Sequence, residues 1–318
     1  MQANYLHEHK DFQDLLQIVA NEKSIQVGLI EKDYWIMHVL YGLKRQGLSF
    51  ELKGGTSLSK GYQIIHRFSE DIDIHITPPP ELKVNQNPGN NNTGSVKSRK
   101  DFYDWLAKNI KIDGIVSVER DHLFDDEKAY RSGGIRLLFE TKMGQIEGVK
   151  EGILLEAGFD TVTPNSMLTV SSWAFDKAKD NEAIEIIDNR AIDIACYHPG
   201  YTFIEKLQTI ATKFRQEQES GNPKPNLMRQ YYDIYCLLEI DAVKNFINTE
   251  EYHRHKKARF PKQDYAIPIA KNEAFLISSP ELRSQFRRRY KDTAALYYRE
   301  QPDFDDLLGR LKLYLDKL

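Results

Sequence analysis

Apolar residues recur at helical spacing in two segments near the start of the chain, within residues 8–46. Residues 50–53 then form a short strand-like run that ends at a double glycine, and residues 57–65 show a helical pattern. Between residues 71 and 76, carboxylate or imidazole side chains alternate with isoleucine, which is the period-two pattern of a strand with one polar face. The predicted order is two helices, strand, turn, helix and strand.

This regular pattern breaks at residues 77–98, where three consecutive prolines precede a cluster of asparagine and glycine. These residues cannot support a continuous ladder, so a long loop or mobile insertion is predicted. A helix at 101–110 and a small mixed sheet with strands at 114–119, 134–140 and 152–157 are expected to follow. Later helices are clearest at 203–215, 229–238, 241–247 and 303–318.

The whole pattern predicts an α+β fold without internal repeats. Residues 1–200 would form an α/β domain that carries the N-terminal helices and the 77–98 loop, and residues 201–318 a helical domain. The chain has 318 residues, 41% of them hydrophobic, which is enough for one large domain or two ordinary ones.

Charge and cysteine content narrow the function classes. The net charge of -3 excludes a strongly basic surface for nucleic acid over the whole protein, although residues 251–300 hold 12 Lys or Arg against 6 Asp or Glu, a local basic excess. Cys196 and Cys236 lack the spacing of a disulfide framework or a zinc site. No segment approaches the ~20 apolar residues of a membrane helix, so a cytoplasmic protein without membrane association is expected.

Asp71 and Asp73 are the first candidates for chemistry. They lie two residues apart on a predicted strand, so both carboxylates emerge on one face, where oxygen atoms can hold Mg²⁺ at about 2.1 Å. Phosphoryl transfer from a nucleoside triphosphate (NTP) needs such a metal to neutralise charge and to align the reacting oxygens. An ordinary exposed strand edge is the alternative for an Asp-x-Asp pattern that stands alone.

The segment Gly54-Gly55-Thr56-Ser57 lies upstream, between a predicted strand and a predicted helix. Glycines let the backbone approach a triphosphate, the Thr and Ser hydroxyls can donate to its oxygens, and a helix N-terminus adds a positive dipole end. A tight turn with an N-cap would explain this segment alone. Its combination with Asp71 and Asp73 favours a metal-dependent nucleotidyltransferase of the DNA polymerase β type.

A third metal-binding carboxylate is expected from a neighbouring strand. Glu156 lies within the apolar run Ile-Leu-Leu-Glu-Ala, where an ionised side chain needs a partner such as a metal. Glu140, at the end of another apolar run, is the competing candidate. The alternative for Glu156 is an outward-facing strand residue.

Two segments together resemble the AbiEii/AbiGii nucleotidyltransferase toxins and the related MenT toxins: Lys53-Gly-Gly-Thr-Ser-Leu-Ser-Lys60 and Arg67-Phe-Ser-Glu-Asp-Ile-Asp73. Three further segments are similar to that family: Glu31-Lys-Asp-Tyr-Trp35, Thr202-Phe-Ile-Glu-Lys-Leu207 and Arg229-Gln-Tyr-Tyr-Asp-Ile-Tyr235. The matched segments span most of residues 28–240, and no motif is matched beyond them.

The resemblance implies a polymerase β-type core and a bacterial toxin with a cognate antitoxin. It also implies an NTP substrate and Mg²⁺, and in some relatives the acceptor is the tRNA 3′ end. By motif match, Asp71 and Asp73 would bind the metal, Lys206 would bind the triphosphate, and Asp233 would be a further active-site carboxylate. Ser69 matches a serine that is a target of inactivating phosphorylation in relatives. On sequence alone, Lys206 and Asp233 are better explained as solvated helix residues, and only the resemblance favours an active-site role.

Other charged residues have two interpretations each. Arg67 could reach a phosphate, as could Lys60, or both could be solvated. Residues 31–33 could brace the site through ion pairs or simply pair at the surface. Three consecutive arginines are candidate contacts for an RNA backbone: Arg287, Arg288 and Arg289. The alternative is that they belong to a solvated basic helix.

Three functional hypotheses remain open at this level. The first is nucleotide transfer to RNA, specifically to a tRNA end, and the second is nucleotidylation of a protein hydroxyl. The third is a non-catalytic, nucleotide-binding regulatory partner. The intact Asp71 and Asp73 argue against the third, and the basic stretch at 251–300 favours RNA over protein.

Overall fold

A computed structural model of the protein describes residues 3–144, 150–160, 162–180 and 185–318. The chain forms two compact units. The first comprises Met1–Gln63 and Phe68–Tyr197, and the second comprises Ile64–Arg67 and His198–Leu318. The short segment Ile64–Arg67 therefore belongs to the helical unit, although in sequence it lies between the glycine loop and the Asp71 strand.

Two helices begin the first unit, as the apolar spacing predicts. Helix α1 spans Phe12–Lys23 and buries one face, whereas α2 spans Val27–Arg45 and is buried along most of its length. Such burial on several sides is typical of a helix with other elements on more than one face. The later helices of this unit are α3, Gly54–Thr56, which continues as a π-helical turn at Ser57–Gly61, α4, Thr93–Asn109, and α5, Trp173–Lys179.

A seven-stranded mixed sheet forms the centre of the first unit. Its strands are β1 Ser49–Lys53, β2 Asp71–Thr77, β3 Ile115–Asp121, β4 Ser132–Phe139, β5 Ile153–Gly158, β6 Asn165–Val170 and β7 Ala191–Tyr197. Their spatial order is β3-β4-β5-β2-β1-β7-β6. The pairs β2/β5 and β1/β7 are parallel and the other pairs are antiparallel. The predicted α+β fold with a mixed sheet is confirmed.

The structure corrects several predicted boundaries in this unit. The helix expected at residues 57–65 begins earlier, at Gly54, and its π turn ends at Gly61. The pattern does not predict β6, α5 or β7. Strand β6 lies at an edge of the sheet and leaves Met167 64% exposed, so it lacks the apolar alternation that marks a buried strand.

The predicted loop at residues 77–98 is shorter and better anchored than expected. Helix α4 begins at Thr93 because the Asn92 side chain caps it, accepting a hydrogen bond from the backbone N–H of Ser95 at 2.8 Å. The fully buried guanidinium of Arg99 then holds the preceding loop. It donates to backbone carbonyls of Asn85, Asn87, Asn90 and Ala129.

The second unit is helical. Its α-helices are α6 Pro199–Ser220, α7 Leu227–Leu237, α8 Asp241–Phe246, α9 Glu250–Arg259, α10 Lys262–Tyr265, α11 Glu273–Leu276, α12 Pro280–Lys291 and α13 Phe304–Lys312. Helix α6 has proline at its first position, and Gly221, whose φ is +68°, directly follows its last residue. Over the described ranges of the chain, no helix is both long and apolar enough to cross a membrane.

Candidate active site

The double glycine forms the turn between β1 and α3. Gly54 has a φ of +70°, a left-handed conformation that favours glycine. A Cβ atom at this position would lie 2.1 Å from Oδ2 of Asp73, so any side chain here would displace that carboxylate. Glycine is therefore required both by the backbone conformation and by the space that Asp73 occupies.

The two hydroxyl residues after the glycines are buried. Oγ1 of Thr56 donates to the backbone carbonyl of Asp71 at 2.5 Å, which ties the turn to the first residue of β2. The Ser57 side chain lies beside Cys196. The Thr56 hydroxyl therefore holds the turn from inside the unit, and neither the Thr56 nor the Ser57 side chain is open to solvent.

Three predicted carboxylates lie on one face of the sheet. Asp71 and Asp73 alternate with buried isoleucines along β2. In the parallel pairing of β2 with β5, Asp73 lies opposite Glu156, and on the other side of Glu156 the paired residue of β4 is Gly134. The main-chain register thus places Asp73 beside Glu156, with Asp71 two residues further along the same strand.

The electrostatics of this face favour a bound cation. Burial, reinforced by the negative charges of Asp73 and Asp71, raises the pKa of Glu156 to about 8. Lys150 offsets part of this charge, with its ammonium nitrogen 3.6 Å from Oδ2 of Asp71. Carboxylate oxygens are the ligands that Mg²⁺ prefers, so donor type, shared face and charge all fit a divalent cation.

The three side chains do not yet converge on one point. Within the part of the chain that the structure describes, no group of three or more His, Cys, Asp or Glu side chains is arranged to hold a metal ion. Ligation by Asp71, Asp73 and Glu156 together would require these side chains to turn toward one another.

A cavity of about 420 Å³ opens beside Asp73 and Glu156. This volume falls within the range of small-molecule sites, roughly 300–1,000 Å³. Two ion pairs lie on its wall: Nζ of Lys53 is 3.2 Å from Oδ2 of Asp160, and the Arg131 guanidinium pairs with Asp126. The complete lining is Lys53, Asp73, Pro88, Asp126, Arg131, Ser132, Glu156, Ala157, Gly158 and Asp160.

Sequence reasoning did not single out most of this lining. Lys53 directly precedes the glycine turn, and this position in the sequence is the signal that could have placed it at the cavity. Asp160 lies just beyond β5, while Asp126 and Arg131 lie in the connection before β4, where no spacing rule links them to Asp73. Only the strand order brings these segments to one cavity.

Glu31 and Asp33 of α2 brace the first unit through buried contacts. The Glu31 carboxylate accepts hydrogen bonds from Oγ1 of Thr141 and from the backbone N–H of Lys142, both at 2.7 Å. Asp33 lies 2.6 Å from Nζ of Lys60. Of the two interpretations of residues 31–33, ion pairs and hydrogen bonds that brace the unit therefore describe Glu31 and Asp33. Lys60 forms a largely buried ion pair and does not lie open to solvent.

Lys32, between these two residues, is also buried. Burial lowers the pKa of Lys32 to about 8, although the negative charges of Glu70 and Asp71 act to raise it. Lys32 thus adds a second positive charge near the start of β2, in addition to Lys150.

Three further motif residues meet in the second unit. Arg67 donates to Asp233 through two nitrogens, at 2.7 Å from Nε and 2.6 Å from Nη2, and Nζ of Lys206 lies 2.7 Å from the same carboxylate. Burial by itself would raise the pKa of Asp233, but the charges of Arg67 and Lys206 hold it below its ordinary value. These residues are buried, which excludes the interpretation of Lys206 and Asp233 as solvated helix residues.

Two other candidate residues, Ser69 and Glu140, lie outside these clusters. Ser69 is half-buried in the connection just before β2. The Glu140 side chain is 78% exposed and pairs with Lys142 at 2.9 Å. Of the two candidates for a third carboxylate, Glu156 is therefore the one that lies beside Asp73.

The three consecutive arginines of α12 contact different groups. Arg289 forms a two-point ion pair with Glu217, at 2.9 and 2.7 Å. Arg287 lies 2.5 Å from Asp305, and Arg288 is exposed. They do not present one continuous set of unpaired cations.

A mixed sheet with adjacent carboxylates beside a Gly-Gly-Thr-Ser turn is the arrangement that the sequence pattern predicts for a nucleotidyltransferase. The family model for the nucleotidyl transferase AbiEii toxin, type IV TA (toxin–antitoxin) system, matches residues 38–310, and the chain belongs to this family. The predicted family and enzyme class are confirmed.

Among solved structures, the fold is similar to that of an antigenic nucleotidyltransferase-like protein from Paracoccidioides brasiliensis. It is 11% identical, with a TM-score of 0.37, and the alignment covers 89% of this chain and 93% of that one. A comparison with curated proteins finds no match.

Glu156→Gln is expected to stabilise the metal-free protein at high pH. Because the pKa of Glu156 is raised from 4.5 to about 8, its stabilising contribution is present below about pH 4.5 and is lost as the pH rises to about 8. The amide does not titrate. In chelator, the variant should melt above wild type near pH 9 and close to it near pH 5.

Glu140→Gln is the matched control, because Glu140 is exposed and paired with Lys142. It should leave the pH dependence of the melting temperature unchanged. Added Mg²⁺ should then raise the melting temperature of wild type more than that of Glu156→Gln. Parallel pH profiles for wild type and Glu156→Gln would show that the pKa of Glu156 is not raised in the folded protein.

Asp233→Ala is expected to lower the free energy of unfolding by about 3–5 kcal/mol, because it leaves two buried cations without their shared partner. Lys206→Ala should cost less, since Arg67 keeps both of its bonds to Asp233. Urea denaturation of both variants measures the difference. An equal or reversed order would contradict the assignment of Asp233 as the centre of this cluster.

Proposed function

We propose that this nucleotidyltransferase transfers nucleotides from an NTP to RNA, with the tRNA 3′ end as acceptor. We also propose that Asp71, Asp73 and Glu156 bind its Mg²⁺. The observation that carries the proposal is the in-register pairing of Asp73 with Glu156 beside Asp71. When bound, the ion would neutralise the triphosphate and align the attacking and leaving oxygens.

The residues around these carboxylates support the same chemistry. Gly54 lets the main chain of the turn lie directly against the Asp73 carboxylate, which brings the backbone close to the proposed metal and phosphate site. Thr56 fixes this turn to β2. Lys53 places a positive charge on the cavity wall, where it would attract the phosphates.

The proposal that RNA is the acceptor rests on the positive charge of one stretch of the chain. Residues 251–300 carry 12 Lys or Arg against 6 Asp or Glu, which favours a polyanion over a protein surface. Within α12, the exposed Arg288 is the most accessible candidate for an RNA contact, whereas Arg287 pairs with Asp305 and Arg289 pairs with Glu217. A protein hydroxyl is the second candidate acceptor.

The family's place in a toxin–antitoxin system supports a cognate antitoxin as a partner. It also gives a reason to propose regulation at Ser69. A phosphate there would add negative charge two residues from Asp71, where it would repel a triphosphate.

One experiment separates the acceptor classes. The purified protein is incubated with Mg²⁺, each labelled NTP, and either total RNA or total protein. Label in RNA of tRNA size supports the first proposal, and label in protein supports the second. Absence of label from both polymers, with a folded protein and every NTP, would contradict a catalytic role.

Asp71→Ala and Asp73→Ala should each abolish nucleotide transfer while leaving the protein folded, because each removes a metal ligand and also relieves carboxylate repulsion. Asp101→Ala is the control, since Asp101 is exposed on α4 and pairs with nearby Lys97. Transfer and a thermal melt are measured on the same preparations. A folded double variant with full activity would overturn the assignment of the metal site.

Lys206→Ala should weaken NTP binding by about tenfold or more if Lys206 binds the triphosphate, because charge-assisted contacts contribute roughly 1.5–3 kcal/mol. Lys213→Ala, on the same helix, controls for a general loss of positive charge. Nucleotide affinity is measured under conditions where both variants remain folded. Unchanged affinity together with reduced stability would assign Lys206 to the Asp233 cluster alone.

A further inference from the structure

One wall of the cavity beside Asp73 is formed by two loops that lie outside every matched motif. The first loop contributes Pro88, and the second contributes Asp126 and Arg131. Neither loop carries a residue to which the proposed chemistry gives a role.

This wall is organised before any ligand binds. The buried Arg99 guanidinium bonds to main-chain carbonyls of both loops, including Asn87 in the first and Ala129 in the second. The second loop also closes on itself, because the backbone N–H of Tyr130 donates to the Asp126 carbonyl at 2.6 Å. A wall held in this way loses little conformational entropy when a ligand binds to it.

Asp126 and Arg131 present complementary hydrogen-bonding groups to the cavity. The Arg131 side chain is 56% exposed although its Nε bonds to Asp126, and exposed ion pairs of this kind contribute little to stability. A guanidinium supplies only donors and a carboxylate only acceptors. Every nucleobase edge offers groups that such a pair can bind.

The position of the pair fits the base end of a nucleotide. Along β4, Gly134 is opposite Glu156, and Ser132, which directly follows Arg131, is opposite Gly158. Two residues along a strand span about 7 Å. Phosphates bound with a cation at Asp73 and Glu156 would therefore leave the base near Arg131, whereas a phosphate beside Asp126 would be repelled.

We propose that Asp126 and Arg131 bind the base of the incoming NTP and determine which nucleotide is selected. This assignment rests on the proposed function, because it takes the phosphate end of the substrate to lie at Asp73 and Glu156. Pro88 forms part of the same wall, and Arg99 is a positioning residue that acts through the two loops.

The test compares Arg131→Gln and Asp126→Asn with wild type. Dissociation constants are measured in Mg²⁺ for each of the four common NTPs and for inorganic tripolyphosphate, by competition with a fluorescent nucleotide. Arg190→Gln is the matched control, because Arg190 forms a similar short-range pair with Asp188 and is not part of the cavity lining.

Both cavity variants should change the ratio of affinities between the best and the worst NTP by roughly tenfold, the size of a lost base contact. Tripolyphosphate affinity should stay within about twofold of wild type, and Arg190→Gln should change neither value. This combination would support base recognition by the pair.

Three results would overturn the proposal. Equal weakening for all four NTPs and tripolyphosphate would show that the pair acts through charge alone. Unchanged NTP ratios with weaker RNA binding would assign this wall to the acceptor. Wild-type protein that binds no NTP would overturn the proposed function as well, whereas the first two results leave it intact.

Discussion

The first unit depends on one constraint: the main-chain hydrogen bonds of its sheet hold negatively charged side chains next to one another. Parallel pairing of β2 with β5 places Asp73 opposite Glu156, and the strand period places Asp71 on the same face. A shift of one residue would turn these carboxylates toward the core and the isoleucines of β2 toward solvent. Burial of those isoleucines therefore holds the carboxylates together against their repulsion.

The residues around Asp71, Asp73 and Glu156 reduce the repulsion between these carboxylates. Gly54 leaves space for the Asp73 carboxylate, and Lys150 lies near Asp71. Lys150 and Lys53 act to lower the pKa of Glu156, but burial together with the charges of Asp73 and Asp71 still raises it. In the second unit, positive charges outnumber negative ones at the buried cluster, because Arg67 and Lys206 both pair with the single carboxylate of Asp233.

The segment Ile64–Arg67 connects these two arrangements through the chain itself. In the helical unit, its Ile65 carbonyl accepts a hydrogen bond from the Tyr298 hydroxyl at 2.9 Å, while Arg67 is held by Asp233. Only three residues separate Arg67 from Asp71. The residues that follow Arg67 lead directly into β2, the strand that carries the carboxylates.

Local patterns in the sequence predicted the central part of the fold. The period-two alternation at residues 71–76 predicted β2 and its polar face, and the apolar run around Glu156 predicted β5. The buried hydroxyls of Thr56 and Ser57 could not be predicted, because burial depends on how the turn packs. The contacts of Arg99 and the Asp126–Arg131 pair were also missed, since no sequence period links those residues to the loops and cavity that they serve.

The cation site is the central claim, and anomalous X-ray scattering tests it most directly. Crystals would be grown with Mn²⁺ in place of Mg²⁺ and with a non-hydrolysable NTP analogue. The account predicts an anomalous peak within coordination distance, about 2.0–2.5 Å, of oxygens from both Asp71 and Asp73, with the analogue's phosphates on the same ion. A bound analogue whose metal and phosphates lie away from these two carboxylates would contradict it.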